Sequence, residues 1–154
     1  MIWRELKESL IFLELEETDY KAVLQRMGTS MIREGYARDT YVQALLERER
    51  TFPTGLDIHG IGVAIPHTDV CHVKKEGIAL AVLKKPVVFR QMGDESIQVP
   101  VRFIFMLAVL NPDGHLQRLQ SVLDIIQDAR LLEQLLNARE CGDIIRMIRE
   151  KEEK

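Results

Sequence analysis

The eight residues from Phe103 to Leu110 are all apolar, and this run constrains the fold more than any other part of the sequence. A strand that is apolar on both sides must be covered on both faces, as in the centre of an α/β sheet. The strand would begin at Val99 or Val101. Shorter apolar or β-branched segments predict four more strands: around Leu10–Leu15, Ile61–Ile65, Ile78–Leu83 and Val87–Phe89. Turns are expected at Lys84-Lys85-Pro86 and at Gly93-Asp94.

Helical patterns surround these strands. Capping residues, helical spacing of apolar residues and stop signals predict five helices: from Thr18 or Asp19 to Arg33 with Gly35 as the stop, from Asp39 or Thr40 to Arg48–Arg50, from His115 to Ile126, Leu131–Leu136, and Asp143–Arg149 before a frayed tail, Glu150–Lys154. The sequence therefore predicts a single α/β domain over residues 1–154, with a mixed β-sheet and helices packed on both sides.

Composition excludes several classes of function. A chain of 154 residues that is 46% hydrophobic suits one domain, and its net charge of −3, with both signs interspersed, gives no patch for nucleic acid. Apolar stretches fall short of the ~20 residues of a membrane span, so we expect a cytoplasmic protein without membrane insertion. The two cysteines, Cys71 and Cys141, form neither a disulfide framework nor a C-x-x-C pair. No cofactor or metal is expected.

The best clue to function is the segment Gly62–Asp69, G-V-A-I-P-H-T-D. Pro66 lacks an N–H group and ends the strand ladder, which places His67 at a strand terminus. Ligands of open α/β sheets tend to lie beyond the carboxyl ends of strands. His67 is therefore a candidate reactive residue, although a histidine after proline can also be a turn residue satisfied by a neighbouring carbonyl.

A second histidine lies at another strand exit. The segment Asn111–His115 joins the apolar run to an amphipathic helix, and either Asn111 or Asp113 could cap that helix. His115 would then lie in the first turn, where free N–H groups favour an anion such as a phosphoryl group. The alternative is a surface histidine with no ligand.

In chain order, five segments carry a resemblance: Arg48-Glu49, Phe52-Pro53-Thr54-Gly55, the strand ending in Pro66-His67, Val99 to Leu110, and His115-Leu116-Gln117-Arg118-Leu119. The chain resembles the enzyme IIA domains of the bacterial phosphoenolpyruvate-dependent sugar phosphotransferase system, in the fructose and mannitol superfamily. Thr68-Asp69 departs from the glycine common after the histidine in mannitol and fructose members and looks like the galactitol-type branch.

The resemblance implies a phosphorelay. His67 would take a phosphoryl group from phospho-HPr and pass it to a cysteine of a IIB protein, which in turn serves a membrane IIC component. It suggests Nε2 as the reacting nitrogen of His67, with Nδ1–H held by a backbone carbonyl. Galactitol or a related polyol is the expected sugar.

Other roles follow from the same resemblance. His115 would donate a hydrogen bond to the phosphoryl oxygens, and Arg48 would contact them with its planar fork. The hydroxyls of Thr54 and Thr68 could add donors. Asp69 would repel phosphate, so we expect it to point aside or to orient a neighbour. An exposed apolar patch near Ile65–Val70 would suit partner docking.

Four alternatives stay open at this level, and one of them is a noncatalytic scaffold whose histidines remain unphosphorylated. His67, Asp69, Cys71 and His72 lie close together in sequence and could hold a metal ion, with His115 or His59 completing the set. A Cys–His hydrolase built on Cys71 or Cys141 lacks a recognisable nucleophile context. A regulatory phosphoacceptor, which controls a regulator or transporter, would use the same chemistry as the sugar-specific carrier.

Overall fold

The protein was analysed as a computed structural model, which describes the backbone of residues 1–154 and the side chains of residues 1–111 and 116–154. The elements follow in chain order: β1 Ile11–Leu15, α1 Tyr20–Arg33, α2 Tyr41–Thr51, β2 Gly55–Ile58, β3 Ile61–Ala64, β4 Gly77–Gln91, β5 Asp94–Ala108, α3 Pro112–Ile126, α4 Ala129–Leu136 and α5 Cys141–Glu152. Short 3-10 turns lie at Ile2–Glu5, Glu8–Leu10 and Val70–His72.

The strands form one mixed sheet. At its centre is the long antiparallel pair of β4 and β5. β1 pairs in parallel with β4, and β3 pairs in parallel with β5. β2 and β3 form an antiparallel hairpin, and β2 also touches the end of β4 through the pair Gly55 and Gln91. The predicted mixed sheet is confirmed.

Helices cover both faces, as the apolar run requires. Alternate residues of β4 belong to different cores: Ala79 and Ala81 pack with α1 and α2, whereas Ile78 and Leu80 pack with α3, α4 and α5. Because side chains alternate across a strand, one apolar strand supplies both cores. The central position of residues 103–108 in β5 explains most of the continuous apolar sequence, although the observed strand ends at Ala108 and Leu110 is exposed.

One strand prediction was wrong. Lys84-Lys85-Pro86 does not separate two strands but lies within β4. The register of β4 against β5 shifts between Val82 and Val87, so the three residues form an irregularity inside the strand. Proline is tolerated at such a site because no ladder hydrogen bond needs its missing N–H group.

The turn predicted at Gly93-Asp94 is close to the observed one. Gln91 pairs with Asp94, which leaves a two-residue hairpin of Met92 and Gly93. Gly93 has φ +83°, the left-handed backbone that such hairpins require. β2 was missed. Several elements start earlier than predicted: β5 at Asp94, α3 at Pro112, α4 at Ala129 and α5 at Cys141. α5 also runs to Glu152, through most of the predicted frayed tail.

Candidate functional site

His67 lies just beyond β3 and is almost completely buried, with 8% of its surface exposed. Its Nδ1 lies 2.9 Å from the carbonyl oxygen of Ile65. A carbonyl can only accept a hydrogen bond, so Nδ1 carries the hydrogen, and in the neutral form of the ring the lone pair is then on Nε2. This geometry agrees with the tautomer that the sequence resemblance suggested.

The backbone around His67 is held from a neighbouring strand. The N–H of Leu107, in β5, donates to the carbonyl of Pro66 at 2.9 Å. The carbonyl of Leu107 in turn accepts a hydrogen bond from the Tyr41 hydroxyl at 2.8 Å. The proline-histidine segment is therefore anchored to the central strand and, through Tyr41, to the first turn of α2.

Thr54 links the end of α2 to the end of β3. Its hydroxyl donates to Glu49 Oε1 at 2.8 Å and accepts from the N–H of Ile65 at 3.2 Å. Its backbone N–H donates to Glu49 Oε2 at 2.7 Å. The single hydroxyl hydrogen of Thr54 is thus directed toward Glu49 in this structure.

Glu49 is the functional candidate that sequence reasoning missed. Only 5% of its surface is exposed, and burial raises the pKa of its carboxyl group to about 7, against the opposing effects of the Thr54 hydrogen bonds and the Arg48 charge. The signal was present in the sequence. Glu49 follows Tyr41 and Leu45 at the four-residue spacing of the buried face of α2, where a carboxylate is rare.

Arg48 points to a different surface from its neighbour Glu49. Its guanidinium pairs with the carboxylate of Asp69, with Nη1 and Oδ1 3.2 Å apart, and lies 5.5 Å from the centre of the Phe52 ring. Its Nε is buried and has no hydrogen-bond partner among the described residues. Asp69 thus orients a neighbour, one of the two outcomes expected for it.

These groups line an open cleft of about 230 Å³ between the end of α2 and the loop after His67. Arg48, Thr68 and Asp69 contribute to its wall, together with His72. The Thr68 hydroxyl donates to the carbonyl of Asp69 at 2.9 Å. The structure therefore brings Arg48 and Thr68 together beside the loop of His67, whereas Thr54 lies behind it against Glu49.

The residues of the metal hypothesis do not form a ligand set here. His72 Nδ1 lies 2.8 Å from the Thr40 hydroxyl, and Asp69 pairs with Arg48. Among the side chains at 1–111 and 116–154, no three of His, Cys, Asp and Glu lie close enough to share a metal ion. Cys71 is exposed. The Cys141 thiol lies 3.3 Å from the carbonyl of Ile11 and packs against the core beside α3, α4 and α5.

His115 lies outside the described side chains. The backbone places it in the first turn of α3, directly after the exit of β5. Its neighbours Leu110 and Leu116 are exposed.

The exposed apolar patch expected near Ile65–Val70 is wrong. Residues 65 to 68 are buried, because Ile65 packs into the core and Pro66 is held against β5. Large apolar side chains are exposed instead at Phe52, which lines the cleft, at Leu110, which precedes α3, and at Leu116, which lies in α3. In the part of the chain that the structure describes, no helix has the length and apolar character needed to cross a bilayer.

Comparison with known proteins agrees with the resemblance. The family described as "Phosphoenolpyruvate-dependent sugar phosphotransferase system, EIIA 2" matches residues 5–151. The galactitol-specific EIIA component of Escherichia coli K12 is 34% identical over 122 residues, which cover 79% of this chain and 81% of that protein. The transcriptional regulator ManR of Bacillus subtilis is 31% identical over 104 residues, 68% of this chain but only 14% of the regulator.

A solved structure shares the fold. The complex of enzyme IIA mannitol with phosphorylated enzyme IIB mannitol from Escherichia coli contains a chain that superposes with a TM-score of 0.79 at 25% identity, covering 93% of this chain and 96% of that one. The family match spans nearly the whole chain, and the mixed sheet covered by helices is the same. The chain belongs to the EIIA 2 family of the phosphoenolpyruvate-dependent sugar phosphotransferase system, and its role lies in phosphoryl transfer within that system.

Proposed function

We propose that residues 1–154 act as one cytoplasmic phosphocarrier domain in which His67 Nε2 accepts a phosphoryl group from phospho-HPr and passes it to a cysteine of a IIB protein. The observation that carries the proposal is the hydrogen bond from His67 Nδ1 to the Ile65 carbonyl. It leaves the nucleophilic lone pair on Nε2, on the side of the ring away from that carbonyl.

The chemistry needs no nucleotide or metal ion. The lone pair of Nε2 attacks phosphorus as the bond from phosphorus to the donor breaks. In the second step the cysteine sulfur attacks the same phosphorus, the N–P bond breaks, and the imidazole of His67 leaves. Protonated imidazole is a good leaving group, so the phosphohistidine stays reactive. Such a loose transition state requires mainly positioning and charge stabilisation.

Arg48 and His115 are proposed to supply that stabilisation. The guanidinium of Arg48 lines the cleft beside the His67 loop, and its Nε lacks a hydrogen-bond partner among the described residues, so a phosphoryl oxygen could accept from it. His115 is proposed as a second donor from the first turn of α3. Thr68 is proposed as a further donor, although its hydroxyl, which donates here to the carbonyl of Asp69, would have to turn toward a phosphoryl oxygen. The contacts of Thr54 favour a supporting role behind His67.

The relatives support the proposed sugar and one of the proposed partners. The galactitol-specific relative supports galactitol or a related polyol as the transported sugar. The mannitol complex supports a IIB protein as the acceptor. We propose phospho-HPr as the donor and a membrane IIC component as the indirect partner.

The test is incubation with phosphoenolpyruvate, enzyme I and HPr, followed by intact mass measurement and treatment with acid. Wild-type protein should gain one acid-labile phosphate, and His67→Ala should gain none because the nucleophile is absent. Phosphate on another residue of His67→Ala would overturn the assignment. His115→Ala should accept phosphate slowly or transfer it poorly to IIB.

A second candidate is a regulatory phosphoacceptor, which the similarity to part of the regulator ManR supports. Both candidates would be phosphorylated at His67, so the first test does not separate them. Phosphoryl transfer from the labelled protein to candidate IIB proteins does. Transfer to a galactitol-type IIB cysteine would support the carrier, and phosphorylation without transfer to any IIB would support the regulator.

A further inference from the structure

Four residues form a hydrogen-bonded chain from the buried carboxylate of α2 to the imidazole of His67. Glu49 accepts from the hydroxyl and the backbone N–H of Thr54, and the Thr54 hydroxyl accepts from the N–H of Ile65. The carbonyl of Ile65 then accepts from His67 Nδ1. Both backbone polar groups of Ile65 are therefore engaged, one toward Glu49 and one toward His67.

The backbone N–H of Ile65 can only donate and its carbonyl can only accept, so Glu49 decides the direction of one bond in this chain, that of the Thr54 hydroxyl, and thereby the place of the Ile65 backbone. A hydroxyl has one hydrogen, and the carboxylate takes it, which leaves a lone pair of Thr54 for the Ile65 N–H. If Glu49 could not accept both Thr54 hydrogens, the hydroxyl would need another acceptor inside the core, because Thr54 is buried. A buried polar group that lacks its partner is costly, so the backbone of Ile65 would shift to relieve it.

We propose that Glu49 is a positioning residue that, through Thr54 and Ile65, holds His67 in the tautomer with hydrogen on Nδ1 and the lone pair on Nε2. Glu49 is not among the described residues that line the cleft beside Arg48 and Asp69, and it accepts hydrogen bonds from Thr54. Its effect on phosphoryl transfer rests on the proposed function, but its effect on the tautomer does not.

Glu49→Gln is the sharpest variant. Glutamine keeps the size of the side chain but brings an NH2 group, which cannot accept a hydrogen bond. One of the two Thr54 hydrogens then loses its acceptor. A buried hydrogen bond is worth about 1 kcal/mol, so we expect the ratio of the two His67 tautomers to shift by about fivefold toward hydrogen on Nε2.

The measurement is long-range proton–nitrogen NMR of the His67 ring in nitrogen-15-labelled protein, at about pH 8.5, where an ordinary imidazole is neutral. Wild type should show a protonated Nδ1 and an unprotonated Nε2. Glu133→Gln, the same change at an exposed site on α4, should leave that pattern unchanged. An unaltered His67 pattern in Glu49→Gln would overturn the proposal.

A second pair of variants covers the case in which Glu49→Gln does not fold. Thr54→Val removes the hydroxyl at nearly constant volume and should shift the tautomer ratio in the same direction, whereas Thr54→Ser keeps the hydroxyl and should restore the wild-type pattern. A shift of equal size in Thr54→Val and Thr54→Ser would overturn the proposal, because it would reflect packing alone.

The outcome is separable from that of the proposed function. If wild type accepts phosphate from phospho-HPr, Glu49→Gln should lower kcat by up to about fivefold, because one hydrogen bond that holds the ring for attack is lost, and should leave KM unchanged, because no docking surface is altered. A fall confined to KM would overturn the positioning role. If wild type accepts no phosphate, the proposed function fails, while the tautomer measurement still supports or overturns the role of Glu49.

Discussion

At the scale of single residues, two adjacent positions at the end of α2 have opposite environments. Arg48 reaches the open cleft and pairs with Asp69, whereas Glu49 is buried and accepts two hydrogen bonds from Thr54. A helix turns by 100° per residue, so adjacent residues can serve different sides of one site. Each of the two side chains leads to a separate measurable consequence.

The buried carboxyl group of Glu49 makes stability depend on pH. Its pKa is about 7 in the folded protein and 4.5 in an ordinary setting. Folding therefore gains from the protonated form: this contribution is complete below about pH 4.5 and is lost as the pH rises through about 7, with a total of about 3 kcal/mol. In urea unfolding from pH 4 to 8, the stability of wild type minus that of Glu49→Gln should fall by this amount. A difference that stays flat would contradict the pKa shift.

Asp69 competes with a phosphoryl group for Arg48. The carboxylate is largely exposed and forms an ion pair at 3.2 Å with the guanidinium that we propose for phosphate contact. In Asp69→Asn this competition and the repulsion of phosphate both disappear. We expect the phosphoryl equilibrium with HPr to move toward this protein by about two- to fivefold, measured by intact mass at equilibrium.

Asp124→Asn is the matched control for Asp69→Asn. It makes the same change on an exposed face of α3, where the side chain bonds to Gln120. Its equilibrium should equal that of wild type. If the phosphoryl equilibrium of Asp69→Asn instead moves toward HPr, the ion pair helps to place Arg48 for phosphate contact.

At the scale of elements, the position of His67 depends on the contact between β3 and β5. Gly62 lies so close to this neighbour that a Cβ atom there would be 2.0 Å from the carbonyl oxygen of Pro100. Only glycine permits the two backbones to approach in this way. The strand that leads to Pro66 and His67 is therefore fixed by the absence of a side chain at Gly62.

Gly62→Ala should therefore disturb both stability and the site. The methyl group cannot fit against the backbone of Pro100, so we expect a loss of about 3 kcal/mol and slower phosphoryl acceptance at His67. Gly60→Ala is the control: its φ is +89° but nothing lies within 4 Å of the added carbon, so it should cost about 1 kcal/mol through backbone strain alone. Equal losses in the two variants would contradict the close approach. Urea unfolding and the phosphorylation rate give the two values.

Most elements could be predicted from local signals, and those that could not depended on distant partners. Asp19 caps α1 as expected, through a hydrogen bond to the Lys21 N–H, and Gly35 follows the helix with φ +86°. β4 continues through Lys84-Lys85-Pro86 because β5 pairs with it both before and after these residues, and no sequence pattern shows that. The four residues of β2 form a strand because β3 folds back on them.

The site was predictable to a different degree. The resemblance singled out His67, and its bond to a backbone carbonyl has the expected form. The buried role of Glu49 depends on how α2 rolls against the sheet. Likewise, the burial of residues 65 to 68 depends on β5, which lies 40 residues away in sequence.

At the scale of the whole molecule, the sheet separates two cores, and neighbouring residues of its strands supply side chains to one core or the other. The core beside α1 and α2 supports Glu49 and Tyr41, and the core beside α3, α4 and α5 supports the exit of β5. Arg118 of α3 forms ion pairs with Glu5, near the start of the chain, at 2.7 Å and with Glu76, directly before β4, at 3.6 Å. The strand that leads to His67 contacts both cores, because Ala64 belongs to the first and Val63 to the second.

The long hairpin of β4 and β5 also has a consequence for the order of folding. Its strands are joined by two residues, so its closure costs little chain entropy, whereas β3 must reach β5 across almost 40 residues and form a parallel pair. The hairpin should already be formed in the rate-limiting transition state, and β3 with His67 should dock afterwards. Val82 and Val63 test this, because they pair with Phe103 from opposite sides, in the same core.

Each valine-to-alanine change should cost about 2 kcal/mol. In stopped-flow measurements, Val82→Ala should mainly slow refolding, and Val63→Ala should mainly speed unfolding. The reverse assignment would place β3 in the nucleus. If the order holds, the loop that carries His67 is also the part that opens first from the native state. A destabilising substitution there would then shorten the lifetime of the folded protein without slowing its folding.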